Sequence, residues 1–358
     1  MTKQILSLLL FLLVFLVSVQ AQEQNNPILY QTFIRNDGDS SNGGYVSILD
    51  ALTLKELGQV DLIPSNPQRI ELTADKKLAF VNNNPFVDDK KGMTVVDLGQ
   101  RRVIRRMFEN IGVYEMKLAP NGMMWILLDE PQQIAIVSPE TLRVTERLTF
   151  NESPRGLIFS PDGKRAYVSL FTKDVIVLDA TTRSRINIIQ DLPTRNPFQI
   201  RPQELEISPD SKLLFISSKD TVSIVETRLF QVVSRFKINS MATGTGDLLL
   251  KISHEGKFLY VAGYIGVFLS IYDVNAKQII KVLPVPFLGM PGRGTGTISY
   301  LQISPNNALL YLNQDFGITF LDTQTNSFIA SLQTSTGLNF SNPFSLGVVA
   351  TGDFSVGQ

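Results

Sequence analysis

The chain has 358 residues, with 33 basic and 33 acidic side chains and a formal net charge of zero. This length allows one large buried core or two to three modest domains. The balanced charge argues against a nucleic-acid-binding footprint and against a polybasic membrane patch. The sequence has no cysteine and one histidine, His254. Disulfides, thiolate ligands, a cysteine nucleophile and a multi-histidine metal site within the chain are therefore excluded.

The first segment of the chain is typical of an export signal. Lys3 gives a positive start, residues 5–17 form an apolar run, and residues 19–21 (VQA) form a small-residue cleavage site. As a helix the run would span about 20 Å at about 1.5 Å per residue, short of a ~30 Å hydrocarbon core. We expect residues 1–21 to be a cleaved signal peptide and residues 22–27 a short N-terminal segment. The mature chain is then periplasmic, cell-surface or extracellular, with no stable membrane insertion.

An internal repeat follows. Six copies, 41 to 51 residues apart, each contain an apolar run, a polar turn and a second apolar run. A Val/Ile-rich third run and a more polar fourth run follow each hairpin, and four strands at this period are typical of a β-propeller blade. The hairpin copies are IELTADKKLAFV (70–81), MKLAPNGMMWIL (116–127), LIFSPDGKRAYV (157–168), LEISPDSKLLFI (205–216), LKISHEGKFLYV (250–261) and LQISPNNALLYL (301–312).

Two terminal fragments complete a seventh blade. Residues 28–62 resemble strands two, three and four of a blade, and residues 343–351 resemble a first strand with no followers. Joining them pairs the chain ends and removes a free sheet edge. The sequence therefore predicts an all-β fold in a single domain over residues 28–358. It is a seven-bladed β-propeller of four-stranded antiparallel blades, closed by the C-terminal strand joining the N-terminal blade.

The repeats resemble the YVTN-type β-propeller family. The closest copy runs from Pro154 to Asp179, where SPDG and YV are followed by a Val/Ile strand that ends in Asp. The resemblance covers essentially all of the mature chain. It implies the propeller fold, but such propellers include enzyme subunits, binding proteins and cell-surface proteins. It also implies that loops from strand four to the next strand one share a face with loops from strand two to strand three. We call this the entry-loop face, and the family usually carries its function there.

The loops that enter each blade collect arginines with phenylalanines nearby. Arginine forks beside aromatic rings suit carboxylate, phosphate or protein contacts. Alternatively, the arginines pair with nearby acids such as Glu152, Asp191, Glu204 and Asp247, and the phenylalanines fill the loops. The candidate binding residues are Arg69, Arg155, Arg195, Arg201, Arg293, Phe198 and Phe287.

Other motifs carry weaker hypotheses. The stretches GTGD (244–247) and GRGTGT (292–297) precede strands rather than a helix, so they do not form a standard phosphate loop. In the loop after the first predicted strand, Asp37, Asp39 and Asn42 offer the oxygen ligands that calcium prefers. The same composition is ordinary for a hairpin loop, and the distal glutamate of an EF-hand is missing. Calcium is the only cofactor that the sequence suggests.

The leading hypothesis is an exported, non-catalytic scaffold that binds a protein or polymer partner. No nucleophile–base pair or transition-metal cluster is visible, and the repeat occupies the whole mature chain. We expect no nucleic-acid partner and assign no catalytic residue. An alternative is a propeller hydrolase of the lactonase type, or an electron-transfer enzyme subunit, with its site at the central channel. A third is a sensor or assembly scaffold with no small-molecule site.

Overall fold

All regular structure in the described part of the chain is β-strand. A computed structural model describes residues 28–34, 43–50, 55–62, 67–83, 91–171, 174–193, 204–218, 220–238, 248–263, 268–286, 288, 298–314, 317–333 and 348–351. These residues form seven four-stranded sheets, the blades, which we number I to VII in chain order. Within the described residues, no helix has the length and hydrophobicity needed to cross a membrane.

The strands follow the chain in order, four to a blade. Blades I and II contain β1 (Ile28–Ile34), β2 (Gly44–Asp50), β3 (Glu56–Asp61), β4 (Pro67–Leu72), β5 (Leu78–Asn83), β6 (Met93–Asp97) and β7 (Arg102–Met107). Blades III and IV contain β8 (Val113–Leu118), β9 (Met124–Leu128), β10 (Gln133–Ser138), β11 (Arg143–Thr149), β12 (Pro154–Phe159), β13 (Arg165–Leu170), β14 (Val175–Asp179) and β15 (Arg185–Ile189). Blades V and VI contain β16 (Leu205–Ile207), β17 (Leu213–Ser218), β18 (Thr221–Glu226), β19 (Gln231–Lys237), β20 (Leu248–Ile252), β21 (Phe258–Gly263), β22 (Phe268–Asp273) and β23 (Gln278–Pro284). Blade VII contains β24 (Ile298–Ile303), β25 (Leu309–Gln314), β26 (Gly317–Asp322) and β27 (Ser327–Gln333), and β28 (Val348–Thr351) returns to blade I.

The blades are arranged as a closed ring. The first strand of each blade contacts the first strands of both neighbouring blades, so that β4, β8, β12, β16, β20, β24 and β28 surround a central channel. Blade I has the order β28-β1-β2-β3, and its first strand is therefore the last strand of the chain. β28 pairs antiparallel with β1, with Ile28 opposite Thr351 and Gln31 opposite Val348. The predicted seven-bladed propeller and its closure by the C-terminal strand are confirmed.

The turn between strands one and two is built from local hydrogen bonds. In blade IV, Ser160 donates its hydroxyl to Asp162 at 2.6 Å and accepts the Arg165 N–H at 2.9 Å. Gly163 adopts a φ of 72°, which costs glycine no steric strain. The same serine–acid pairing recurs in blade V, between Ser208 and Asp210 at 2.7 Å. The SPDG stretch is therefore a hairpin turn in this structure.

A β-bulge recurs at the same place in every blade. The register between strands three and four shifts once in each of the seven sheets. In blade III, Ile136 is opposite Glu146 but Val137 is opposite Val144, so Thr145 is the extra residue on strand four. A bulge bends its strand and increases the local twist. The fourth strand of each blade is therefore bent where it starts.

The core lies between neighbouring blades rather than in one central mass. Fully buried Trp125 of blade III meets Phe159 of blade IV edge to face, with ring centroids 5.1 Å apart. Phe236 of blade V stacks on Tyr272 of blade VI, with centroids 4.0 Å apart. Aromatic pairs in these geometries add to the stabilisation from buried area. Interblade packing thus holds the first strands, and the side chains that they carry, in fixed positions around the channel.

Candidate functional site

The channel wall carries a cluster of charged side chains. Residues alternate along each first strand, so that Ile70 and Leu72 are buried in the blade while Arg69 and Glu71 lie on the other side. A cavity of about 220 Å³ is bounded by residues from six of the seven first strands or from positions directly beside them. The charged residues that line it are Arg69, Glu115, Lys117, Glu204, Glu206 and Lys251.

Arg69 ties three blades together across this channel. Its Nη1 lies 2.8 Å from Glu115 Oε2 of blade III, and its Nη2 lies 3.1 Å from Glu204 Oε1 beside blade V. Burial disfavours the charge on the guanidinium, but the two carboxylates outweigh this effect and raise the pKa of Arg69. Arg69 is thus engaged by protein carboxylates, as the alternative interpretation of the loop arginines expects.

Two further ion pairs join neighbouring blades. Lys251 Nζ lies 2.9 Å from Glu206 Oε1, and Lys117 Nζ lies 3.8 Å from Glu71 Oε2. The longer separation leaves Lys117 and Glu71 as the most loosely held pair of the channel. Among the described residues, the cations Arg69, Lys117 and Lys251 therefore each have a carboxylate beside them.

Burial perturbs the ionisation of Glu71, the acid on β4. Burial raises its pKa above the ordinary value, and the nearby Lys117 ammonium and a hydrogen bond from the Leu118 N–H only partly offset this effect. For Lys117, by contrast, the nearby charges outweigh the effect of burial. Burial disfavours its ammonium, but Glu115 and Glu71 outweigh this effect and raise the pKa of Lys117.

A second cluster lies on the entry-loop face, between blades III and IV. The Arg155 guanidinium stacks on the Tyr114 ring at 3.5 Å from its centroid and lies 5.0 Å from the centroid of Phe171. Asp129 lies 3.5 Å from Arg155 Nη2, and it accepts hydrogen bonds from Tyr114 Oη at 2.9 Å and Ser153 Oγ at 2.8 Å. Phe171 keeps 46% of its surface exposed. The cluster thus combines a fixed cation with an accessible ring.

The structure places two of the sequence-predicted residues, in different surroundings. Arg69 bonds to acids inside the channel, whereas Arg155 bonds to Asp129 between two blades. The other predicted binding residues lie outside the described residues, as do the proposed calcium ligands. They stay predictions: Arg195, Phe198, Arg201, Phe287 and Arg293 for partner binding, and Asp37, Asp39 and Asn42 for calcium.

Sequence reasoning missed most of the channel charges, although a signal for them exists. The second residue of each of the six hairpin copies is, in chain order, Glu71, Lys117, Ile158, Glu206, Lys251 and Gln302. A charge inside an otherwise apolar strand, at the same position in four copies, indicates a shared polar surface. Within the described part of the chain, no group of three or more His, Cys, Asp or Glu side chains is arranged to hold a metal ion.

Comparisons with known proteins agree with the architecture. No family model matches the sequence. The chain is 31% identical over 134 residues to a seven-bladed β-propeller protein of Mycobacterium tuberculosis, Rv1057, a match that covers 35% of this chain and 30% of that protein. The match therefore covers less than a third of the length of Rv1057.

Two solved structures share the fold at low identity. The Kuenenia stuttgartiensis hydrazine synthase structure has a TM-score of 0.61 and 16% identity, covering 81% of this chain and 90% of that one. The β-propeller domain of Cps50 (Swd1) from Myceliophteria thermophila has a TM-score of 0.57 and 10% identity, covering 76% of this chain and 88% of that one. At these identities the likeness concerns the fold alone, and the protein is a seven-bladed β-propeller.

Proposed function

We propose that this protein is an exported, non-catalytic propeller of YVTN-type repeats whose entry-loop face binds a protein or polymer partner. The observation that carries the proposal is the cluster of Tyr114, Arg155 and Phe171 between blades III and IV. It presents an aromatic ring that is 46% exposed beside a cation already held in place. Aromatic and arginine side chains are the residue types that most often dominate binding energy at protein interfaces.

The cluster is held in its geometry before any partner arrives. Asp129 fixes both Tyr114 and Ser153 by hydrogen bonds of 2.9 and 2.8 Å, and the Tyr114 ring supports the guanidinium of Arg155. Side chains that are fixed in the free protein lose little conformational freedom on binding. If Arg195, Arg201 and Arg293 lie on the entry-loop face, as the family resemblance implies, they would extend this surface, which suits a partner with acidic and aromatic groups.

The pairing of charges in the channel supports a non-catalytic role. A general acid or base needs a proton that it can exchange near the working pH. Glu115 and Glu204 both bond to Arg69, and Glu206 bonds to Lys251, so each of these carboxylates already has a cation as its partner. The channel wall thus resembles a structural ion-pair network more than a set of groups held ready for proton transfer.

The test uses one surface substitution and a matched control. The immobilised mature protein is used to capture a specific partner from the envelope or secreted fraction of its source. We expect Phe171→Asp to abolish this capture. Leu229 is 51% exposed and lies in a turn between strands three and four, on the opposite face. Leu229→Asp makes the same chemical change there and should leave capture intact. Equal capture by the wild type and both variants contradicts the assignment of the surface.

A second variant tests the predicted part of the surface. Replacing Arg195, Arg201 and Arg293 together by Ala removes three cations from loops that are predicted to lie on the entry-loop face. If they contact the partner, the dissociation rate should rise and the salt dependence of association should weaken. Unchanged kinetics would limit the binding surface to the Phe171 cluster.

The raised pKa of Glu71 favours one other function, an enzyme with its site in the channel. A carboxyl group whose pKa is raised by burial is typical of catalytic acids, and Glu71 lies beside Lys117, which lines the channel cavity. The test is hydrolysis of a panel of short-chain lactones by the mature protein and by Glu71→Gln. Turnover that is lost in Glu71→Gln would support a hydrolase of the lactonase type. Turnover by neither protein would count against it.

A further inference from the structure

One of the hairpin turns between strands one and two contains an asparagine followed by a glycine. The chain has two such steps, Asn42-Gly43 and Asn121-Gly122, and only the second lies entirely within the described residues. It forms part of the turn between β8 and β9 of blade III, where Asn121 is exposed to solvent. A Cβ added to Gly122 would meet no described neighbour within 4 Å. The backbone nitrogen of this glycine is therefore free of the steric hindrance that a side chain would impose.

In two other blades, a serine holds the residue equivalent to Asn121. Ser160 of blade IV donates its hydroxyl to Asp162 Oδ1 at 2.6 Å, and Ser304 of blade VII donates to Asn306 Oδ1 at 2.8 Å. In both turns the same Oδ1 also accepts the backbone N–H two residues further along the chain, at 3.1 Å. Any rotation of these two side chains must break both bonds.

The turn of blade III has no such serine bond. Its residue equivalent to Ser160 is Ala119, which has no hydroxyl group. Among the described residues, the one hydrogen bond to the Asn121 side chain comes from the Met123 N–H, at 3.2 Å. The Gly122 N–H donates to the Ala119 carbonyl at 2.8 Å. When the turn opens briefly, the amide carbon of Asn121 can therefore approach the Gly122 nitrogen at a smaller cost than in the serine-held turns.

We propose that Asn121 is a site of spontaneous deamidation in the folded protein. The Gly122 nitrogen bonds to Asn121 Cγ, the bond from Cγ to the side-chain nitrogen breaks, and this nitrogen takes up the glycine amide proton and leaves as ammonia. Water then opens the cyclic imide at either of its carbonyl carbons, which gives aspartate or isoaspartate with one new carboxylate. The reaction consumes only water, and it does not depend on the partner proposed for the entry-loop face.

The two products should affect the fold differently. Aspartate leaves the backbone unchanged, and Asp162 shows that the equivalent turn accommodates it. Isoaspartate lengthens the backbone of the turn by one carbon, which disturbs the 2.8 Å bond from the Ala119 N–H to the Met123 carbonyl. The turn also lies close to its neighbour in blade IV, since a Cβ at Gly163 would be 3.3 Å from the Pro120 side chain. Isoaspartate should therefore loosen the contact between the two hairpins.

The test follows the mature protein by peptide mass spectrometry during storage in mildly alkaline buffer. We expect the peptide that contains Asn121 to acquire the mass change of an amide converted to a carboxylic acid, and fragmentation of its backbone separates aspartate from isoaspartate. The rate should rise with pH, because the deprotonated backbone nitrogen is the attacking group. The same chain unfolded in urea provides the rate without the turn.

A matched variant separates the effect of the turn from that of the Asn-Gly sequence. Ala119→Ser keeps Asn121-Gly122 and adds the hydroxyl that holds Asn306 in blade VII. Deamidation of the folded variant should be slower by about fivefold, the effect of one more hydrogen bond that must break. In urea the two chains should react at the same rate. Equal rates of the two folded proteins would overturn the proposal, as would an unmodified Asn121 in the folded wild type when the unfolded chain reacts.

Discussion

Replacing Arg69 by Met should be the most damaging single change on the channel wall. The substitution keeps most of the side-chain length and removes a cation that bonds to carboxylates of two other blades. Glu115 and Glu204 then keep their negative charges without the partner that compensates them. Removing one member of a buried ion pair is more damaging than replacing the whole pair, because a charge is left behind.

The magnitude follows from the burial of the three side chains. Arg69, Glu115 and Glu204 expose only 15%, 7% and 18% of their side-chain surface. Breaking a pair at this depth costs about 3 to 5 kcal/mol of unfolding free energy. Because the channel contains space for water, we expect Arg69→Met to lie near the lower end, at about 3 kcal/mol.

Urea unfolding followed by tryptophan fluorescence measures this cost, since Trp125 is the only tryptophan and is fully buried. A rescue variant combines Arg69→Met with Glu115→Gln and Glu204→Gln. It removes both stranded charges and should recover about half of the lost stability or more. A cost below about 1 kcal/mol, or a rescue variant no more stable than Arg69→Met, would refute the electrostatic reasoning.

Three other predictions concern turns, core and pH. Gly122→Ala, at a φ of 81° with open space around it, should cost about 1 kcal/mol of stability from backbone strain alone, whereas Gly163→Ala should cost more. The loss of unfolding free energy should be larger at Gly163 because a Cβ there would lie 3.3 Å from the Pro120 side chain. Urea unfolding of both variants measures the two losses, and equal losses would contradict this reasoning. Trp125→Ala should lower the free energy of unfolding by about 3 to 5 kcal/mol, because it removes a buried ring and leaves Phe159 without its edge-to-face partner. Unfolding followed by circular dichroism measures this loss, and a loss under about 1 kcal/mol would contradict the packing. Glu71→Gln should be more stable than the wild type at neutral pH but equal to it well below pH 4.5, the ordinary value, since the raised pKa favours the protonated acid in the fold. The difference in melting temperature should therefore appear as the pH rises through the raised pKa, and a difference that grows towards acid would reverse the sign of this argument.

Local chemistry explains why the fold could be predicted from the sequence. The hairpin around Ser160 and Asp162 is made by side chains within five residues of one another. Its repetition gives the number of blades, and the incomplete copies at the chain ends predict that β28 completes blade I. Strand four shows the limit of this reasoning, because its sequence varies between blades and the bulge in each was not predicted.

The pairing of the charged residues in the channel could not be predicted in the same way. Arg69 and Glu204 are 135 residues apart in the chain, and they meet only because blades II and V face each other across the ring. No local pattern encodes which of the wall charges pair. Phe171 presents the same difficulty, since its contact with Arg155 depends on a loop that follows β13. The charged wall was within reach of a position-by-position comparison of the repeats, whereas its pairing required the three-dimensional ring.

The bulge at the start of each fourth strand has a consequence for self-association. Closing the ring protects the first strands but leaves the outer rim of every blade with a row of backbone groups open to other chains. A bent, strongly twisted rim is a poor template for flat strand-to-strand stacking. Charged side chains on the rim, such as Arg147, Arg235 and Lys281, add repulsion between copies. The irregularity repeated seven times thus makes the outer rim, with exposed Val233, Ile280 and Val282, a poor surface for strand-to-strand stacking between copies.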